Sequence, residues 1–115
     1  MEQLNRVELR GNVGSVKIQT VGNKQSIRMT IATNYVYKGR DGEPVLETTW
    51  HNVSAWEGKN MPDFGSISKG DKIYVVGRIR NQRYTGNDGV ERTAVDIQAS
   101  RIQMVETDES LTYEQ

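Results

Sequence analysis

From Asn5 to Ile18 apolar residues stand at Val7, Leu9, Val13, Val16 and Ile18, with Arg6, Glu8 and Arg10 between the first of them. This alternation predicts a first β-strand, broken by Gly11 and Gly14, where a bulge or bend is expected. Gly22-Asn23 marks a turn, and Ile27, Met29 and Ile31 then alternate with Arg28, Thr30 and Ala32 in a second strand. After the charged loop Gly39-Arg40-Asp41-Gly42-Glu43-Pro44, Glu47 to Trp56 predicts a third strand. The pattern is lost between Glu57 and Lys72, where Gly58, Pro62 and Gly65 leave room only for a short helix, Pro62 to Ser68. Lys72 to Tyr84 predicts a fourth strand with Ile73, Val75 and Ile79 on one face. The turn Gly86-Asn87-Asp88-Gly89 then leads to a fifth strand, Thr93 to Met104, with Val95, Ile97 and Ala99 together.

Three strands, a short helical connection and two more strands fit an all-β architecture. A five-stranded Greek-key OB-fold barrel suits that order better than a seven-stranded sandwich. Val and Ile number 20 of the 115 residues against 4 Leu, which agrees with strands. Val, Ile, Leu and Phe together make 25, slightly above the fraction of roughly a fifth below which disorder is the default. One domain with a thin core is expected over residues 1–105, followed by a short acidic tail over 106–115. The core is thin enough for an oligomer interface to extend it.

The net charge is zero, yet residues 1–105 carry +4 and residues 106–115 carry −4. A basic body beside an acidic end is one arrangement used to bind polyanions, but more often it is an ordinary solvated terminus. The run Ile73-Tyr74-Val75-Val76 is far too short to span a bilayer. Met1 to Arg6 holds no apolar signal core, so a cytoplasmic protein is expected. The chain has no cysteine and a single histidine, which removes disulfides, thiolate zinc sites and thiol catalysis. No metal or other cofactor is expected. No phosphate-binding glycine loop or nucleophile elbow is present, and the carboxylates do not cluster at metal-binding spacing. An enzyme is not expected.

The candidate chemistry is aromatic and basic. On the third strand Trp50, Asn52, Ser54 and Trp56 share one parity and His51, Val53 and Ala55 the other. Small aliphatic residues suit a barrel interior, so the two tryptophans are expected to project outward. Outward indoles form a patch that needs a partner. Unpaired bases stacking on them are one use, and core or subunit-interface packing is the other. His51, on the inward parity, is expected to be a hydrogen-bonded packing or interface residue. Tyr35 and Tyr37 lead into the loop bearing Lys38 and Arg40. Arg78, Arg80, Arg83 and Tyr84 lead into the second hairpin, with Arg92 on its return. Rings beside cations at the mouths of both loops match what single-stranded nucleic acid requires: cations for phosphates and aromatic faces for bases.

The stretch Asn5-Arg6-Val7-Glu8-Leu9-Arg10-Gly11-Asn12-Val13-Gly14 resembles the opening strand of bacterial single-stranded DNA-binding proteins. Thr30-Ile31-Ala32-Thr33 and Thr49-Trp50-His51-Asn52-Val53 look like that family's second and third strands. Lys69 to Arg80 is similar to its Lys-Gly-x-x-apolar-x-Val-x-Gly-x-apolar-Arg block. The resemblance, spanning residues 4–105, implies an OB-fold, a homotetramer, and sequence-independent binding of single-stranded DNA in replication, recombination and repair, in the cytoplasm at the nucleoid. It implies stacking by Tyr37, Trp50, Trp56 and Tyr84, and phosphate contacts from Arg6, Lys38, Arg40, Lys59, Arg80 and Arg83. His51 would lie at a subunit interface. The family's acidic tail ends in Ile-Pro-Phe, which recruits partner proteins. Here the last residues read Leu111-Thr112-Tyr113-Glu114-Gln115, so the resemblance does not carry recruitment over. The alternative reading is an OB-fold primosome-type adaptor with weak single-strand binding and mainly protein contacts.

Overall fold

A computed structural model of the chain describes residues 2–105; the acidic segment 106–115 lies outside the described residues. Five strands, β1 (Val7–Val21), β2 (Lys24–Lys38), β3 (Pro44–Trp56), β4 (Lys72–Thr85) and β5 (Glu91–Met104), close into a barrel in the order β1-β2-β3-β5-β4. Only β3 and β5 run parallel, joined at Val53–Ile97 and Ser54–Gln98, and that pairing closes the barrel. This is the five-stranded Greek-key OB barrel expected from the element order.

β1 serves two neighbours. Val7–Asn12 pairs with β4, and Asn12–Val21 with β2. The changeover needs a sharp bend, and two glycines allow it. A Cβ on Gly11 would strike the carbonyl oxygen of Ala32. Gly14 is the extra residue of a bulge, because Val13 pairs with Ile31 and Ser15 with Thr30. A second bulge lies in β5: Val76 pairs with Arg101 but Gly77 with Ala99. The unpaired Ser100 shifts the parity, which is why Ala99 and Ile102 both point inward.

The core comprises thirteen buried residues, chiefly Ile and Val from the inward parity of every strand. The helix expected over Pro62 to Ser68 is a single 3-10 turn, Phe64–Ser66, capped by the Asp63 carboxylate, which accepts from the Gly65 amide at 3.1 Å. Proline and glycine at 62 and 65 leave no run long enough for an α-helix. The turn buries Phe64, with Ile67 beside it, as part of the barrel's core.

Two strand pairs run past the barrel as free ribbons. β2 and β3 stay paired out to Lys38–Pro44, so the loop expected over 39–44 is one residue shorter, and β3 starts at Pro44 rather than Glu47. Its tip is closed by the Gly39 amide donating to the Glu43 carbonyl at 2.8 Å. β4 and β5 stay paired out to Thr85–Glu91, closed by the Gly86 amide on the Val90 carbonyl at 2.9 Å. Ile79 and Val95, expected on the core parity, lie where this ribbon leaves the barrel and are 47% and 57% exposed. Beyond the barrel's end, inward parity no longer means burial.

Candidate nucleic-acid interface

The outward parity of β3 places Trp50, Asn52, Ser54 and Trp56 in one row. Val53 and Ala55, between them, are buried, as the alternation required. Trp50 is 59% exposed, and Trp56 and Tyr84 are also exposed. The Trp50 ring rests on the β1 bulge, where the missing Cβ of Gly14 makes room; a methyl group there would overlap the indole and stand 2.9 Å from the Thr30 hydroxyl.

Beside this row the β4–β5 ribbon bends over the outer faces of β1, β2 and β3. It encloses an open groove of about 670 Å³, lined among others by Lys17, Arg28, Asn52, Ser54, Arg83 and Tyr84. The register explains the assembly. Lys17 lies opposite Arg28, Thr30 opposite Asn52 and Arg28 opposite Ser54, and all present the same face. Three of the four expected stacking residues, Trp50, Trp56 and Tyr84, therefore share one side of the molecule.

Tyr37 does not join them. It has the parity of Ile31 and His51, opposite to Trp50, and its ring lies 6.1 Å from that of Tyr35 on the other face of the β2–β3 ribbon. Lys38 and Arg40 are exposed at that ribbon's tip, and Lys59 is exposed in the segment after β3. Arg83 borders the groove and reaches Glu91 at 3.4 Å in a highly exposed pair, which water screens heavily. Arg6 lies away from the groove, in a shallow cleft with Asn5, Val76, Arg78 and Gln98, and pairs with Glu8 at 3.5 Å. Glu8 also accepts a hydrogen bond from the Tyr74 hydroxyl. That bond, with the Arg6 charge, holds Glu8 below the usual carboxylate range, and the same bond raises Tyr74 against the opposing pull of the Arg6 charge.

Arg80 is set apart by its partners. Its Nε donates to Asp96 Oδ1 at 2.8 Å, Nη1 to Gln98 Oε1 at 3.0 Å, and Nη2 to Ser54 Oγ at 3.1 Å and Asp96 Oδ2 at 3.2 Å. Ser54 in turn donates to Asp96 at 3.1 Å. The two charged side chains are 27% and 14% exposed, a half-buried clamp joining β3, β4 and β5. Burial alone would raise the Asp96 carboxyl; the hydrogen bonds from Arg80 and Ser54, with the charges of Arg80 and Arg28, outweigh it and hold the group low.

His51 is half-buried, and its Nε2 lies 2.8 Å from the Thr33 hydroxyl. Burial pushes the ring's pKa below its ordinary value, favouring the neutral form. Among the described residues no cluster of three His, Asp or Glu side chains could hold a metal ion. Nor is any helix there long and apolar enough to cross a membrane.

The groove also contains residues that the sequence did not mark as binding candidates: Lys17, Arg28, Ser15, Thr30 and Asn52. The signal for Arg28 was present, since it alternates with Ile27 and Met29. Lys17 becomes its neighbour only through the bulged β1–β2 register.

The family model described as "Single-strand binding protein family" matches residues 4–105. The single-stranded DNA-binding protein of Xanthomonas axonopodis pv. citri is 38% identical over 106 residues, which cover 89% of this chain and 58% of that protein. The corresponding protein of Neisseria meningitidis serogroup A is 33% identical over 106 residues, covering 89% and 60%. The chain thus spans about three-fifths of the length of these curated relatives. Among solved structures, the Plasmodium falciparum SSB complex with ssDNA shares the fold at a TM-score of 0.76 and 21% identity, over 92% of this chain and 98% of that one.

Proposed function

Because the chain belongs to the single-strand binding protein family, we propose that it binds single-stranded DNA without strong sequence preference, as a binding protein and not an enzyme. The observation that carries this reading is the exposed row of Trp50 and Trp56 beside a cation-lined groove that also holds Tyr84. Aromatic faces accept any base, and each stacked base is worth roughly 1–3 kcal/mol. Lysine and arginine neutralise the phosphates, so binding weakens as salt rises.

In this reading Trp50, Trp56 and Tyr84 stack bases along the groove face. Tyr37, with Tyr35 beside it, takes bases only from a strand long enough to cross the β2–β3 ribbon. Lys38, Arg40, Lys59 and Arg83 border that path, and Arg6 meets the backbone where a longer strand leaves the barrel. The task is protection of single strands during replication, recombination and repair, in the cytoplasm at the nucleoid. A homotetramer supports it, with His51 near a subunit contact; the thin core and the exposed Leu4 and Ile79 favour assembly.

Fluorescence anisotropy of labelled oligo-dT, with a duplex of equal length as control, tests the binding. Preferential, salt-sensitive binding of the single strand is expected. Equal or absent binding of both would overturn it. Sedimentation of the protein alone tests the tetramer, which a monomer or dimer at working concentration would contradict.

A further inference from the structure

Lys17 and Arg28 are direct cross-strand partners on the face of β1 and β2 that lines the groove. Like charges placed directly opposite on one sheet face repel and destabilise the pair. Neither side chain makes an ion pair or hydrogen bond among the described residues. Asp96, an acid of the same groove, has both oxygens committed to Arg80 and Ser54. Two cations without a hydrogen-bonded or ion-paired partner therefore face each other in a groove beside the aromatic row, and only Arg28 feels the more distant charge of Asp96. An anion between them would relieve the repulsion.

Arg80 presents the opposite case. Four hydrogen bonds leave one of its five N–H groups unengaged, and its charge is already balanced by Asp96. To engage a phosphate with more than that one N–H, it would have to abandon a half-buried carboxylate, and an unpaired carboxylate in that place is costly.

We propose that Lys17 and Arg28 form the phosphate-binding site of this groove, and that Arg80 is a positioning residue that pins β3, β4 and β5 beneath it. The assignment rests on the single-strand reading above and adds which charges meet the backbone. It divides the basic residues into those that count in a salt titration and one that does not.

The experiment measures oligo-dT affinity of the full chain against salt concentration. Each phosphate contact adds about 0.7 to the slope of log K against log salt for a single strand. Lys17→Gln and Arg28→Gln, both exposed, should each lower the slope by about 0.7. The charge-neutral double variant R80Q/D96N should leave it unchanged. If R80Q/D96N does not fold, R80M/D96L takes its place, since apolar replacement of a buried pair is commonly tolerated. Unchanged slopes in K17Q and R28Q, or a loss of about 0.7 in the Arg80 double variant, would overturn the assignment. Wild-type protein that fails to bind oligo-dT would refute the single-strand reading itself. Wild-type binding with those slopes refutes only this assignment.

Discussion

Replacing Gly14 with alanine should separate binding from folding, because of what a Cβ would meet there. It would overlap the six-membered ring of Trp50, standing 3.0 Å from Cη2 and 2.9 Å from the Thr30 hydroxyl. The ring can yield, since Trp50 is 59% exposed and only about two-fifths covered. Of the ~250 Å² that a large aromatic can bury, that coverage is on the order of 100 Å². Giving up half of it costs about 1 kcal/mol at ~25 cal/mol per Å². The fold should survive with that modest loss, while the stacking platform is displaced. Loss of one stacked base, ~1–3 kcal/mol, would weaken oligo-dT binding by roughly 5- to 150-fold. Gly11→Ala is the matched contrast. Its Cβ would strike the Ala32 carbonyl and stand 3.1 Å from Ile31 Cγ2. Backbone cannot rotate away, so β1 or β2 must shift, at the upper end of the ~1–3 kcal/mol range for overpacking or beyond it. Urea unfolding followed by circular dichroism gives the stabilities, and anisotropy the affinities. Wild-type affinity in the Gly14→Ala variant, or a stability loss equal to that of Gly11→Ala, would show that the added methyl does not act by displacing the Trp50 ring.

Phe64→Ala should cost ~3–5 kcal/mol and leave the thin-cored barrel close to unfolding in water, read from its urea midpoint. The pKa of His51, depressed by burial, makes its contribution full above the unfolded value near 6.5 and lost as pH falls below it, because the unfolded ring binds the proton first. The urea midpoint should therefore fall between pH 7.5 and 5.5, and His51→Gln should flatten that part of the profile; an unchanged slope in the variant contradicts the assignment. Tyr37→Ala, on the far face of the ribbon, should leave affinity for an oligonucleotide confined to the groove unchanged and weaken a longer strand. Equal losses at both lengths would place Tyr37 on the groove side.

The legible parts of the molecule were those where one strand face is buried and the other wet. Inside the barrel, Ile27, Met29 and Ile31 alternate with Arg28 and Thr30, and Val53 and Ala55 alternate with the tryptophans, so the strands and the outward aim of Trp50 and Trp56 could be read directly. Past the barrel's end both faces of a ribbon meet water and the rule loses its content. Ile79 and Val95 kept core parity yet are exposed, and the paired run from Tyr35 to Lys38 carries no alternation to announce it. The charges were harder still. Arg80 is basic in a promising segment, but its pairing with Asp96 depends on the β4–β5 register. Lys17 meets Arg28 only because a bulge at Gly14 shifts β1 by one residue. Single residues carry parity; partners come from register, which is a property of the whole sheet.

Whether bases stack on Trp50 and Trp56 is read most directly from intrinsic tryptophan emission, titrated with oligo-dT or duplex, in the single-tryptophan variants Trp50→Phe and Trp56→Phe. Stacking predicts that the single strand quenches the tryptophan retained in each variant, that duplex does not, and that added salt reverses the effect. Emission unmoved by oligo-dT in both variants, at concentrations where the strand is bound, would place the bases elsewhere and contradict the account.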